Sequence, residues 1–309
     1  NMTAAENGFN FDNDCSSTVN NFANKTGYLA TWCDCRVKAD LIYNLDTERY
    51  GYFWTGLLFG LSTRFIIRGK AWKQLNEADF AQRLELIEDA DFCAELVAEA
   101  EASEANKLIG EQYYLGADEK PNYTEKRSVK EMAEEAGEHW AETLLRLSRE
   151  TQGRALFNWH MFQKDMDELK DLLTKSSHIY PGLGDAGAHV SQIMDAGWST
   201  FILSYWHRET GTWSIEQAVE KMTSGPAKVL GLNDRGVLSV GMKADVNVFD
   251  ADEVCELQPT LVHDFPNGAP RFIQKSRGFK ATIVNGAVSV RNGELTGIRA
   301  GEVLRHGQS

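Results

Sequence analysis

One acidic side chain lies in a setting that suits catalysis. Asp185 follows a short apolar run and is enclosed by glycines in the segment Tyr180-Pro181-Gly182-Leu183-Gly184-Asp185-Ala186-Gly187-Ala188-His189. Because glycine has no Cβ atom, backbone and ligand can both come close to this carboxylate. A carboxylate in a tight, partly desolvated loop can bind a metal ion or transfer a proton. An ordinary surface turn has the same Gly-Asp-x-Gly pattern, so the loop alone leaves both interpretations open.

The elements around Asp185 are predicted to be a strand, a helix and a second strand. Residues 154–161 have the composition of a buried strand, and Asp165-x-x-Glu168 is a capping box that begins the helix. Residues 178–183 are predicted to form the second strand. Parallel α/β folds bind ligands at the carboxyl ends of their strands, so we expect Asp185 at a ligand-binding edge.

Amphipathic helices are predicted on both sides of this unit. Asn76 is expected to cap a first helix, and a second helix repeats the apolar spacing up to residue 100. The capping boxes Ser128-x-x-Glu131 and Ser214-x-x-Gln217 are expected to begin two more helices. From residue 236 onward the pattern changes to short strands, with one predicted at 244–250 and hairpin turns at 285–286 and 292–293.

The composition limits the classes of partner. The chain has 309 residues, 42% of them hydrophobic, so it can bury a substantial core. Its formal net charge of -13 argues against nucleic acid or an anionic membrane surface and favours a small-molecule substrate. The longest apolar run, at 50–61, is shorter than the ~20 residues that a membrane span needs. The first six residues show no secretion signal, so the sequence predicts a cytoplasmic protein.

Several segments, in order along the chain, resemble the amidohydrolase superfamily. They are GLGDAGAHV at 182–190, TFILSYW at 200–206, KMTSGPA at 221–227, DRGVLSVGMKAD at 234–245, TIVNG at 282–286 and NGELTG at 292–297. Within the superfamily they are most similar to the N-acyl-D-amino-acid deacylases, or D-aminoacylases. The resemblance is strong over residues 152–305 and fainter over 52–110.

The resemblance implies an α/β fold in which a partial metal-dependent (β/α) barrel is followed by a small β-sandwich module. It divides the chain into a weakly matching, irregular segment at 1–50, the C-terminal part of the barrel at 51–232 and the β-sandwich module at 233–309. Members of the family have a His-x-His pair after the first barrel strand and an Asp after the last. The seven histidines of this chain form no such pair. The resemblance therefore implies the C-terminal portion of a longer enzyme.

The activity that the resemblance implies is hydrolysis of linear amide bonds, which are carbon–nitrogen bonds other than peptide bonds. The product would be a D-amino acid, released from its N-acyl form, and catalysis would be complete only with the missing N-terminal part. Zn²⁺ would activate a water molecule, and Asp185, as metal ligand and general base, would take its proton and pass it to the leaving amine. His189 would bind the substrate carboxylate or orient Asp185. A buried histidine satisfied by the backbone is an equal alternative for His189.

Other interpretations stay open at this stage. The missing ligand set favours a non-catalytic fragment or scaffold subunit, and the same segments fit a cyclic-amide hydrolase of the dihydroorotase or hydantoinase type. A lone strand histidine such as His160 is more often structural than a ligand. Trp198, Trp206 and Trp213 are expected in the core more than in a substrate pocket. The acidic run at 95–104 is expected to be a solvated helix face.

Overall fold

The structure is a computed structural model that describes residues 40–44, 49–53, 56–102, 106, 108–160, 166–175, 179–181, 186, 191–194 and 196–304. Helices predominate up to residue 230, and short strands predominate from residue 246 onward. Strands β1 (Asp40–Asn44) and β2 (Arg49–Phe53) pair as an antiparallel hairpin whose backbone alone is described. No helix among these residues is long and apolar enough to cross a bilayer.

Five helices share the first apolar core. They are α1 Lys70–Glu77, α2 Phe80–Leu86, α3 Ala90–Glu101, α4 Val129–Ala136 and α5 Trp140–Glu150. Trp72 of α1, Leu96 of α3 and Leu144 of α5 are fully buried in this core. The capping box Ser128–Glu131 begins α4, which confirms the start predicted from the sequence.

The predicted cap at Asn76 is wrong. Asn76 lies inside α1, and its side-chain amide exchanges two hydrogen bonds of 2.8 Å with the backbone of Phe65. The cap of α2 is Asp79, which forms a capping box with Gln82. Asn76 and Asp79 are both good capping residues, so the sequence pattern alone favoured the wrong one of two neighbours.

The acidic run in α3 contains one carboxylate with a structural role that the sequence interpretation missed. Glu99 accepts hydrogen bonds from the backbone N–H groups of Lys70, Ala71 and Trp72 at 2.8–3.3 Å. These N–H groups open α1, whose N-cap residue Gly69 has no side chain to satisfy them. Glu99 therefore caps a second helix, α1. The predicted solvated face holds for Glu95 and Glu101, which are exposed.

A three-stranded antiparallel sheet separates the two apolar cores. Its order is β3 (Gly56–Phe59), β5 (Leu156–His160) and β4 (Tyr113–Gly116), with β5 in the centre. Phe59 and Phe157 face the first core, whereas Leu58 and Leu156 belong to the second. This alternation is the two-residue period of a strand that is buried on both faces.

The predicted strand–helix–strand unit is confirmed only in part. Strand β5 and helix α6 (Met166–Lys175) lie where the sequence places them. Residues 179–181, the described part of the predicted second strand, form no strand pairing, and the rest of it lies outside the described residues. All the strand pairs within the described ranges are antiparallel. The parallel barrel therefore remains a prediction.

A second group of helices follows the Asp185 segment. It consists of α7 (Trp198–Phe201), a π-helix (Ile202–Glu209), α8 (Ile215–Met222) and α9 (Ser224–Leu230). The capping box Ser214–Gln217 begins α8, as predicted. Trp206 and Trp213 are 1% and 5% exposed and Trp198 is half-buried, which confirms the prediction that these rings serve the core.

The last part of the chain is built from short strands, as the sequence predicts. They are β6 Val246–Phe249, β7 Cys255–Glu256, β8 Thr260–Val262, β9 Arg271–Ile273, β10 Ser276–Arg277, β11 Phe279–Val284, β12 Ala287–Arg291 and β13 Glu294–Leu295. Strands β13, β12, β11 and β6 form one sheet in that order. Asn285 and Gly286, at φ 49° and 82°, form the predicted turn between β11 and β12.

The second core joins the C-terminal strands to the helices that precede them. Val254 and Phe272 are buried together with Trp206 of the π-helix and Leu169 of α6. The predicted boundary at 232–233 thus lies between elements that share apolar contacts. In the four-stranded sheet, the register places five apolar residues on one face, and none of them is fully buried: Val246, Val248, Ala281, Ile283 and Val288. A second sheet over this face, as a β-sandwich requires, remains a prediction.

Candidate functional site

The sequence-predicted site residues lie outside the described part of the structure. This holds for Asp185 and His189, and for the side chain of His160, whose backbone ends β5. Within residues 182–190 only Ala186 is described, as an exposed turn residue. The site is therefore defined by the two flanks of the segment, Ile179 to Pro181 before it and Ser191 to Met194 after it.

Lys221 of α8 holds the flank that leads into the segment. Its ammonium group donates a hydrogen bond of 2.8 Å to the carbonyl oxygen of Ile179, whose side chain is 2% exposed. The same ammonium lies 4.9 Å from the centroid of the Tyr180 ring and 6.0 Å from that of Trp213. Burial lowers the pKa of Lys221, although the charge of Glu220 opposes the shift. A carbonyl and two aromatic faces thus surround a partly desolvated cation.

Gly225 allows the Tyr180 ring to approach the start of α9. A Cβ atom built on Gly225 would lie 2.1 Å from Cε1 of Tyr180, far inside van der Waals contact. Only glycine fits this contact without a shift of the ring or of the helix. Lys221 and Gly225 both belong to the KMTSGPA segment, so this motif is in direct contact with the residues just before Asp185.

The flank that leaves the segment is anchored to a sheet strand. The backbone N–H of Leu58 in β3 donates a 2.7 Å hydrogen bond to the carbonyl oxygen of Gln192. Ile193 and Met194, the next residues, are 1% and 7% exposed, and Met194 belongs to the second core. Both flanks of the Asp185 segment are therefore held by the buried framework, as a loop that carries chemistry requires.

A buried carboxyl group beside the π-helix was missed by the sequence interpretation. Glu256 of β7 is 0% exposed, and its Oε2 atom accepts a 2.7 Å hydrogen bond from the hydroxyl of Ser204 in the π-helix. Its Oε1 atom has no hydrogen-bond partner among the described residues. Burial is the main cause that raises the pKa of this carboxyl group. Glu256 joins the C-terminal strands to the helix that follows the site.

The described residues supply no complete metal site. Among them, no group of three His, Cys, Asp or Glu side chains is arranged to hold a metal ion. A zinc site needs three or four such ligands around one point. The Zn²⁺ expected from the sequence resemblance is therefore not supported by the donors in this part of the chain, and it remains a prediction.

Part of the chain matches the model of a known protein family. Residues 178–290, which include the Asp185 segment, Lys221 and Glu256, match the model of the amidohydrolase family. The resemblance to amidohydrolases is confirmed for this segment. It covers both flanks of the site and most of the C-terminal strands.

Three curated relatives of this chain come from Alcaligenes xylosoxydans xylosoxydans. An N-acyl-D-glutamate deacylase is 44% identical over 91 residues, which are 29% of this chain and 17% of the relative. A D-aminoacylase is 29% identical over 187 residues, 49% of this chain and 37% of the relative. An N-acyl-D-aspartate deacylase is 38% identical over 115 residues, 36% and 21% of the two chains. The chain thus spans well under half of the length of the curated relatives that it matches.

Two further similarities are weaker. A dihydroorotase of Lactobacillus delbrueckii subsp. bulgaricus is 34% identical over 88 residues, 28% of this chain and 21% of the relative. A solved structure of N-acyl-D-glutamate deacylase from Bordetella bronchiseptica with zinc and a phosphonate inhibitor is 24% identical and covers 60% of this chain and 37% of that one. Its TM-score of 0.34 is too low to establish a shared fold.

Proposed function

We propose that the amidohydrolase segment serves a hydrolase that releases a D-amino acid from an N-acyl-D-amino acid. The observation that carries the proposal is the agreement of three curated relatives. All three are named as deacylases or aminoacylases of D-amino acids, and one of them is 44% identical over 91 residues. The bond cleaved is a linear amide, a carbon–nitrogen bond other than a peptide bond.

In this proposal Asp185 transfers protons at the reacting carbonyl. As a general base it takes a proton from the attacking water, and as a general acid it returns this proton to the leaving amine. The framework supports that role, because Lys221 and Leu58 fix the two flanks of the Asp185 segment. His189, four residues further on, is proposed to bind the carboxylate of the substrate or to orient Asp185.

The metal is treated separately from these residues. Bound Zn²⁺ would supply a polarised carbonyl and a more acidic water molecule. The described residues do not form a donor set for it, and Asp185 is the one ligand that the sequence pattern suggests.

Two alternatives are each favoured by one observation. The dihydroorotase relative, 34% identical over 88 residues, favours hydrolysis of a cyclic amide. The absence of a His-x-His pair from this sequence favours a non-catalytic subunit or fragment. Substrate tests and metal analysis separate these alternatives from the deacylase.

The experiment uses the polypeptide encoded by the complete reading frame that contains this chain. It is incubated with N-acetyl-D-glutamate, with the L-enantiomer as a matched control, and with dihydroorotate, while bound zinc is measured by mass spectrometry. We expect release of the D-amino acid, little release of the L-amino acid and about one tightly bound zinc ion per chain. Turnover of dihydroorotate alone would favour the cyclic-amide hydrolase. If no substrate is turned over and no zinc is bound, the result would favour the non-catalytic alternative.

A further inference from the structure

Lys221 of α8 contacts the flank before the Asp185 segment through its charged ammonium group. Lys221 is partly desolvated, which lowers the pKa of its ammonium group. Elsewhere in the described residues, lysines such as Lys120 and Lys280 pair with carboxylates near the surface. Lys221 instead donates to the carbonyl oxygen of Ile179 at 2.8 Å. A charged donor on a neutral carbonyl is a strong and directional hydrogen bond.

We propose that Lys221 is a positioning residue, which fixes the backbone just before Asp185 so that its carboxylate keeps one place. The inference rests on the proposed function for the role of Asp185. The geometry places Lys221 against Ile179 and Tyr180, which lie six and five residues before that carboxylate in the chain.

Three contacts act together on this short stretch. The ammonium of Lys221 fixes the carbonyl of Ile179, and its charge lies over the face of the Tyr180 ring. Gly225, four residues after Lys221, lets the same ring pack directly on the start of α9. The residues after Tyr180 include Gly182 and Gly184, which lose much conformational freedom when they are ordered. In this proposal, holding Ile179 and Tyr180 in place restricts the chain that leads to Asp185.

The position of Lys221 distinguishes it from a general stabiliser of the fold. Its hydrogen-bond partner is 42 residues away in sequence and belongs to the flank that leads into the Asp185 segment, not to its own helix. Lys228 provides a matched control, because it lies in the neighbouring helix α9 and is exposed. Removing the charge of Lys228 leaves the Ile179 and Tyr180 contacts unchanged.

Amide hydrogen exchange of the whole chain tests the proposal without any need for activity. In Lys221→Met, loss of the charge-assisted hydrogen bond is expected to speed exchange in peptides covering residues 176–190 about tenfold. Lys228→Met should leave these peptides unchanged. Lys221→Arg keeps a cationic donor and should restore most of the protection. Gly225→Ala displaces the Tyr180 ring and keeps the Lys221 side chain, so it should also speed exchange in these peptides. It serves as the second variant if Lys221→Met does not fold.

The outcomes either support or overturn the inference. Faster exchange confined to 176–190 in Lys221→Met or Gly225→Ala, with rescue by arginine, supports it. Unchanged exchange in these peptides, or equal acceleration across the whole chain, overturns it, because Lys221 would then be dispensable or merely structural. In the active polypeptide Lys221→Met should lower kcat and leave KM unchanged. The exchange result does not depend on turnover, so it can fail separately from the proposed function.

Discussion

Glu256→Gln should make the protein more stable at neutral pH and leave its stability nearly unchanged in acid. The Glu256 side chain is 0% exposed, and only its Oε2 atom has a hydrogen-bond partner among the described residues, the hydroxyl of Ser204. Burial, which disfavours the charged form, is the first cause of its raised pKa. Glutamine has the shape of the protonated acid and cannot ionise.

The pH dependence follows from the direction of this shift. Below the pKa of an unfolded Glu, at about 4.3, both states of the protein bind the proton and wild type matches Glu256→Gln. As the pH rises further, the unfolded chain releases the proton while the folded chain retains it. The wild type therefore loses about 1.4 kcal/mol of stability for each pH unit between the unfolded and the folded pKa of Glu256. Above the folded pKa the difference stays constant.

Above the folded pKa, the stability difference between wild type and variant equals the free-energy cost of burying the ionised carboxylate. An incompletely paired buried charge costs about 1–3 kcal/mol or more, so we expect a gain of about that size in the variant near neutral pH. The charges of Lys120 and Glu209, which form an ion pair near Glu256, act in opposite directions on its pKa and leave burial dominant.

Urea unfolding of wild type and variant from about pH 4 to pH 8 measures the difference. Glu253→Gln is the matched control, since Glu253 is 59% exposed and pairs with the exposed Lys280. That control should change the free energy of unfolding by less than about 0.5 kcal/mol at every pH. A Glu256→Gln variant that is less stable than wild type near neutral pH, or equally more stable at every pH, would refute this reasoning.

Two other predictions concern the helical core. Glu99→Gln should lower the free energy of unfolding by about 1–2 kcal/mol, because Glu99 caps α1 through three backbone N–H groups. Glu95→Gln, on the exposed face of α3, is the control and should have little effect in the same urea titration. Arg83→Lys should cost about 2–3 kcal/mol, because the Arg83 guanidinium donates to the carbonyls of residues 61, 63, 76 and 78 and a single ammonium cannot reach all four. Thermal unfolding should show this loss and no comparable loss for Arg64→Lys at an exposed site; equal losses would contradict the assignment.

Features with a local cause could be predicted from the sequence. The capping boxes at 128–131 and 214–217 join residues three positions apart, and the turn at 285–286 depends on two residues that accept positive φ. Strand β5 and helix α6 also follow from local composition and spacing. In each case the residues that decide the structure are neighbours in the chain.

Features that join distant segments could not be predicted in this way. Ser204 and Glu256 are 52 residues apart, and nothing in either neighbourhood indicates that a carboxyl group will be buried there. Glu99 caps a helix that begins 29 residues earlier. The antiparallel order of β3, β5 and β4 also depends on which strands meet across the core, which spacing alone does not specify. Lys221 was visible in the sequence only as part of a matching motif, and its contact with Ile179 needed coordinates.

The central claim is that Asp185 carries the proton in hydrolysis of an N-acyl-D-amino acid. The most direct test compares kcat of the wild type and of Asp185→Asn, in the polypeptide encoded by the complete reading frame, with N-acetyl-D-glutamate as substrate. Asparagine keeps the size of the side chain and removes the base, so we expect kcat to fall about 10²- to 10⁴-fold with the fold unchanged. An Asp185→Asn enzyme that releases D-glutamate at the wild-type rate would contradict the account.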